Sequence, residues 1–524
     1  MSDRVINQVW AACVVILAAC APGLPAAPRQ VPLEPAMAPP VQSVVLKWKE
    51  LVVEQPGELL FVSPDLAAAV SSITIGRLSS NETLDVLCNF PMLATLTVRT
   101  SYADSIVFTC AMSSLQSLTV SGRAVRSIDS KADLTALVEV NISDTSIPSL
   151  DKLPSMPNVR SLVLNSLSEF QWEQLRTLTN LESLSAKDTG FSDTDLEALV
   201  ELPLKELDLA YTSISEMAGV AEMSMLETLS INGSPLRQGA LRNIPASVRE
   251  LSLVNLNIEP KDLGHLQRLS RLTVDNSTFS NDVRMPFPEL THLSIRSAKV
   301  KWLSIGSARL RFLDATDSTQ LERVVCPGGC SPSEVRLSGT ALANFPETMG
   351  VADLSVLSID STDITDLNFL STSYELRELS MAHTAVSELG PISAAYELKT
   401  LDIRCTAVRD LSPVSDLSLA KLVAAGVSIA DFPSRMLQTL TSVDLYNSSI
   451  QRFSGEIASC MLQDIDISYT ALENVTALGS CPELDSLQVC GVTAGMVLAV
   501  DRSPVLRRAV DPQCRFVGFI DECL

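Results

Sequence analysis

Histidine is nearly absent from this chain, with three in 524 residues, and only four tryptophans and six tyrosines accompany them. So few histidines leave little material for a His-bound metal, and so few large aromatics leave little for the anchors that dominate tight protein interfaces. Basic residues are also scarce: 39 Lys and Arg face 61 Asp and Glu, a net charge of −22. That balance argues against nucleic acid and against anionic membrane surfaces as partners, while leaving room for a basic one. Long apolar runs are missing as well. The longest near the N-terminus, residues 9–21, has thirteen uncharged positions, too few for the roughly 20 residues that a membrane-spanning helix needs.

What the chain does have is a period. From Ile75 to Val489 a Leu-x-Leu core signature returns every 20 to 23 residues, about twenty times, its second apolar position falling at Ile75, Val98, Val120, Ile142, Leu164 and onward to Ile467 and Val489. Self-similarity at a fixed period outranks local propensity in deciding a fold. The clearest copy runs Leu134, Leu137, Val140, Ile142, Thr145, Ile147, Leu150. At these residues the chain resembles the leucine-rich repeat family, in the short variant of about 22 residues found in internalin-like and phosphatase-regulator-like proteins, and more faintly the repeat-rich surface proteins of kinetoplastid protozoa. The resemblance implies an α/β solenoid, a curved horseshoe of about twenty short parallel strands with 3₁₀ or irregular return segments. Where the family places Asn, this chain places Thr or Ser, as at Thr145, Thr189, Thr212, Ser234, Thr340, Thr362, Thr384, Thr406, Ser448 and Thr470. A buried hydroxyl can bond the turn backbone in place of the amide, so a hydroxyl ladder is expected.

The flanks suggest export. Residues 1–26 read as a secretory signal, although Asp3 offsets its one early base, Arg4. Leu17, Ala18, Ala19, Cys20 also resemble a bacterial lipobox that would acylate Cys20. A Pro-rich spacer at 27–41, an N-terminal cap at 42–70, the solenoid at 71–490 and a C-terminal cap at 491–524 follow. Cys88 and Cys110 share one repeat phase, as do Cys460 and Cys481. Equivalent positions on adjacent turns lie about 4.8 Å apart, within disulfide reach. Cys326 and Cys330 could close a small loop but could not hold zinc alone. Cys514 and Cys523 could lock the last cap, with Cys490 as a competing partner. Sequons at Asn81, Asn141, Asn232, Asn276, Asn447 and Asn474 point to a eukaryotic secretory route.

Function in a solenoid sits on exposed strand positions, and here these are small, polar and mildly acidic. One stretch differs. Arg296, Lys299, Lys301, Arg309 and Arg311 occur with no acid between Arg296 and Arg311, and Trp302 lies among them; with Arg336 they form the expected ligand-binding zone. Ser361, His383 and Cys405 share a column, so a Cys–His contact is conceivable, but a strand face offers no oxyanion donors. No catalytic residue, cofactor or metal is expected. The reading is a non-enzymatic, secreted or surface-tethered recognition module for a protein or glycoconjugate. A bacterial lipoprotein adhesin and an intracellular scaffold resembling the phosphatase regulators are the alternatives; oligomeric state is not encoded legibly.

Overall fold

The computed structural model describes residues 45–491, with breaks at 48, 80–83, 131–133, 280–281, 458 and 473, together with 505–506. Each repeat gives one short strand to a single sheet of 22 strands. Its first pair, Val45–Lys47 with Glu50–Val53, is antiparallel. From Glu50–Val53 to Ser486–Gln488 the neighbours run parallel and in phase, as where Leu184 faces Leu162 on one side and Leu207 on the other. Strand Glu50–Val53 falls inside the stretch assigned by sequence to the cap, so the sheet starts one turn before the first recognisable repeat. Its Leu51 and Val53 lie opposite Ile73 and Ile75 and are as buried as they are.

Alternation explains the strands. In Ser183–Ser185 the core residue Leu184 points inward between two half-exposed serines, and Ala186 follows it into the core. The second apolar positions from Ile75 to Ile467 are all at most 1% exposed, and only Val489, in the last strand turn, is partly open. Burying one such large side chain is worth roughly 1.5–3 kcal/mol, but its partners belong to adjacent rungs, so a rung has no core of its own.

Beyond each strand the chain must turn sharply, and it does so by the same device. From the Ile142 rung onward one residue per rung adopts a left-handed conformation, among them Asp144, Asp188, Asn255, Ser297, Ser361 and Asn447, with glycine at Gly233, Gly339, Gly426 and Gly491. Asp, Asn and Gly tolerate this region best. The hydroxyl ladder follows directly, and it has two forms. Threonine closes on its own rung: Thr145, Thr189, Thr212, Thr340, Thr362, Thr384, Thr406 and Thr470 each donate to the carbonyl three residues back at 2.7–2.8 Å. Serine bridges rungs: Ser277 Oγ donates to Leu253 O at 2.8 Å while accepting from Leu256 N at 3.1 Å, and Ser318 does the same with Ile295 and Ala298. Ser234 also reaches back, to Leu209 O at 3.2 Å. Ser448 Oγ is buried with no partner among the described residues.

On the side opposite the long sheet most return segments are 3₁₀ turns, several opened by proline at the first positions, as in Pro56–Phe61, Pro260–Leu263, Gly390–Ile392 and Ser412–Val414. The α-helix Pro64–Ala67 is a single turn. Between Val274 and Leu337 the return segments form strands in place of 3₁₀ turns. Val283–Met285, Trp302–Ile305 and Arg323–Val325 form a second, three-stranded parallel sheet there.

Candidate recognition face

The expected basic zone does not gather into one patch. A rung goes once around the solenoid, so residues close in sequence part company within it. Arg296 lies just past strand His292–Ser294, Lys299 and Trp302 lie on the opposite side in a β-bridge and in the second sheet, and Arg309 and Arg311 lead into strand Phe312–Asp314. Nearly every base in it is answered by an acid, for Arg336 a neighbour on its own strand and for the others a residue of another rung. Arg296 pairs with Asp314 at 3.8 Å, Lys301 with Glu322 at 3.1 Å, Arg311 with Asp353 at 3.5 Å, Arg309 with Glu289 and Arg336 with Glu334. Asp314 is buried, but the other pairs are solvent-facing and worth at most about 1 kcal/mol each; together the acids oppose the positive charge the sequence suggests. Lys299 has no ion pair among the described residues, and the Trp302 indole sits beneath the Arg284 guanidinium at 5.9 Å.

A different surface has relief. Two adjoining depressions, of about 480 and 460 Å³, lie on the outward face of the long sheet, meeting at Asp402, Lys421 and Val423. Their lining extends from Thr316 to Gln488. Their charged lining is Asp360, Glu378, Asp402, Asp444, Asp464 and Asp466 against Arg336, Arg404 and Lys421, six acids to three bases. Register produces this cluster, because Asp402, Val423, Asp444, Asp466 and Gln488 are successive strand partners. Arg404 is its fixed element. Its Nε donates to both Asp402 oxygens at 3.1 and 3.0 Å and its terminal nitrogen lies 2.8 Å from Oδ2. The hydrogen bond to Asp402, with the nearby Asp360 and Asp444 charges, raises its pKa further above the ordinary arginine value. The sequence showed these aspartates only as part of a small, polar, mildly acidic face; their spacing, 42 residues from Asp402 to Asp444 and 22 from Asp444 to Asp466, was the available signal.

Beside this face runs a second ladder that the sequence reading missed. Asn165, Asn232, Asp275 and Asp360 each accept from a serine hydroxyl and a backbone N–H of the following rung, for Asn232 Ser252 Oγ at 2.9 Å and Val254 N at 2.7 Å. The sequon asparagines therefore differ in availability. Asn232 is half-buried and also donates from Nδ2 to Ser230 Oγ at 3.1 Å. Asn141 and Asn447 are half-buried, whereas Asn276 and Asn474 are exposed, Asn276 donating to Asn255 Oδ1. Asn81 and Cys20 lie outside the described residues.

Disulfides join Cys88 to Cys110, Cys326 to Cys330 and Cys460 to Cys481, with Cα separations of 5.8, 5.9 and 4.8 Å. Cys490 is also disulfide-bonded, and so is Cys405; Cys514 and Cys523 lie outside the described residues. A bonded Cys405 has no thiolate to present to His383, which removes the one nucleophile–base pair the sequence offered. The described residues contain no cluster of His, Cys, Asp and Glu able to hold a metal, and no helix among them is long and apolar enough to cross a membrane.

No protein-family model matches the chain, and no curated protein matches it in sequence. Among solved structures it is similar to a leucine-rich repeat protein of Leptospira interrogans, at 15% identity and a TM-score of 0.51, covering 68% of this chain and 90% of that one. This is the leucine-rich repeat fold. Looser similarity extends to an internalin of Listeria monocytogenes, with 20% identity, 62% and 86% coverage and a TM-score of 0.42. The Drosophila Toll receptor, solved in its complex with Spätzle, gives 14% identity, 82% and 65% coverage and a TM-score of 0.47. At such identities the likeness concerns backbone only, so a site on this leucine-rich repeat solenoid must be argued from its own residues.

Proposed function

We propose that this chain is a non-enzymatic recognition module, secreted or tethered at a cell surface, that binds a protein or glycoconjugate partner on the long-sheet face between Arg336 and Gln488. The observation that carries the reading is the pair of adjoining depressions centred on Asp402 and Lys421, lined by six acids and three bases. That lining favours a partner presenting a basic epitope, by charge complementarity. Export is supported by the cross-rung disulfides, which a reducing compartment would not preserve. The exposed sequons Asn276 and Asn474 offer sites for glycans at positions outside the lining of those depressions.

The test has two parts. Intact mass of the protein from its native cell, with free thiols counted under denaturing conditions, should give a chain lacking its first residues and carrying few thiols; an unprocessed, fully reduced chain would overturn the extracellular reading in favour of an intracellular scaffold. Partner binding should then fall in a salt-sensitive way when Asp444 and Asp466 are both changed to Lys. Unchanged affinity in that variant, with its fold intact by circular dichroism, removes this face as the site.

A further inference from the structure

The left-handed residue that turns the chain after each strand is Asp188, Tyr211, Gly233, Asn255 and Asn276 on successive rungs, so these residues form one column beside the carboxyl ends of the strands. Asp, Asn and Gly suit that backbone, whereas a bulky ring there costs free energy. Tyr211 nonetheless adopts it, with φ of +58°, and remains 53% exposed, so burial does not repay the cost. Its ring is also held still. One side lies against Gly233, where an added Cβ would stand 2.5 Å from two ring carbons. Its hydroxyl accepts from Asn255 Nδ2 at 3.2 Å, two rungs on, and Asn255 Oδ1 in turn accepts from Asn276 Nδ2.

We infer that Tyr211, Asn255 and Asn276 form a binding site for a neutral saccharide. A pyranose ring presents an apolar face of C–H groups rimmed by hydroxyls, and this column offers the complement, a fixed aromatic face followed by a strip of amides. Asn255 and Asn276 are exposed, and each spends one of its two Nδ2 hydrogens within the column, which leaves the other for a sugar oxygen. The Tyr211 hydroxyl, which accepts from Asn255, has its own hydrogen to donate. No charged residue stands in the column between Tyr211 and Asn276, and the adjacent Asp275 turns Oδ1 onto Ser294 Oγ and Arg296 N, which favours a neutral ligand over an ionic one. One ring with a short polar strip is too small a surface for a protein partner. It suits a sugar, and a ring fixed in advance spares the ordering cost of binding. The site lies outside the lining of the two depressions, so it stands or falls independently of the partner surface proposed above.

Asn276 also heads a sequon with Ser277 and Thr278. Binding is therefore measured on the full chain carrying Thr278→Ala, which removes the sequon and keeps the amide, so that no attached glycan competes. Cellobiose, lactose, maltose and chitobiose are titrated in turn and followed by saturation-transfer NMR. At least one should show contact at its ring C–H protons, weakened about tenfold or more by Tyr211→Ala. Gly233→Ala, which keeps the tyrosine but displaces its ring, should weaken it as well, and Tyr211→Phe should retain part of it. Tyr211→Asn should abolish binding with no fall in melting temperature, because asparagine suits the left-handed turn. Binding of none of the four sugars overturns the proposal, as does binding that survives Tyr211→Ala with the fold intact by circular dichroism. A lower melting temperature for Tyr211→Asn would mean that the ring is kept for packing, and overturns it too.

Discussion

Replacing Asp193 tests whether rung-to-rung polar contacts, and not the apolar core alone, hold neighbouring turns in place. Its carboxylate accepts from the next rung at four donors: Met217 N at 2.8 Å, Ser215 N at 2.9 Å, Ser215 Oγ at 2.7 Å, and Glu216 N at 3.0 Å with a weaker approach at 3.2 Å. These donors precede the 3₁₀ turn Ala218–Glu222, whose flanking Met217 is left-handed and fully buried. Desolvation by burial is the largest single influence on Asp193 and pushes its pKa up, but the bonds from Met217, Ser215 and Glu216 together outweigh it and hold the group below the ordinary aspartate value. Leaving a buried donor unmade costs roughly 1–3 kcal/mol. Because the site is half-exposed and water can recover some of this, we expect Asp193→Ala to cost about 2–4 kcal/mol and Asp193→Asn, which keeps one acceptor oxygen, about half as much. The pH sign follows from the depressed pKa. The contribution is complete above the unfolded aspartate value, near 3.9, and is lost as pH falls through the lower folded value. Urea unfolding combined with hydrogen exchange at the amides of Ser215, Glu216 and Met217 reads the effect. Should Asp193→Ala unfold within about 0.5 kcal/mol of the parent, a surface-like cost, with those amides equally protected, the carboxylate is not what holds these two rungs.

Three further outcomes are expected. Gly233→Ala should cost about 2 kcal/mol or more, because φ is +65° and the added Cβ would sit 2.5 Å from the Tyr211 ring; combining it with Tyr211→Ala should recover the steric part and leave the backbone part, as a double-mutant cycle in thermal melts would measure. Thr362→Val removes the buried hydroxyl that donates to Ile359 O at 2.7 Å, and a loss of about 1 kcal/mol in urea titration is expected; no loss would mean the threonine ladder is steric, not polar. Reducing the bond between Cys88 and Cys110, 22 residues apart, should lower the stability of the N-terminal rungs by about 3 kcal/mol, seen as faster amide exchange there and none at the far end.

The fold was legible because a repeat states its own boundary conditions. Ile142, Ala186 and Met381 are recognisable as core from phase alone, since each must face the same residue one turn on, and all three are fully buried. The same arithmetic foresaw the bonds of Cys88 to Cys110 and Cys460 to Cys481. It was less informative about what a rung does with residues that are not core. Threonine and serine looked interchangeable in the ladder, yet Thr362 bonds within its rung and Ser277 bonds across two.

The period by itself determined that the chain stacks strands in one long parallel sheet, because no repeat can bury its apolar face without a neighbour. Only the tertiary structure decided which residues meet. A rung spends its 20 to 23 residues on a full circuit, so the run from Arg296 to Arg311 is dispersed around it and paired off with Asp314, Glu322, Glu289 and Asp353. Asp402, Asp444 and Asp466, far apart in sequence, are brought onto one face by strand register. Proximity in a solenoid runs along the stack, at about 4.8 Å per turn, and not along the chain; period can be read in one dimension, but the neighbours of a polar side chain exist only once the turns are stacked.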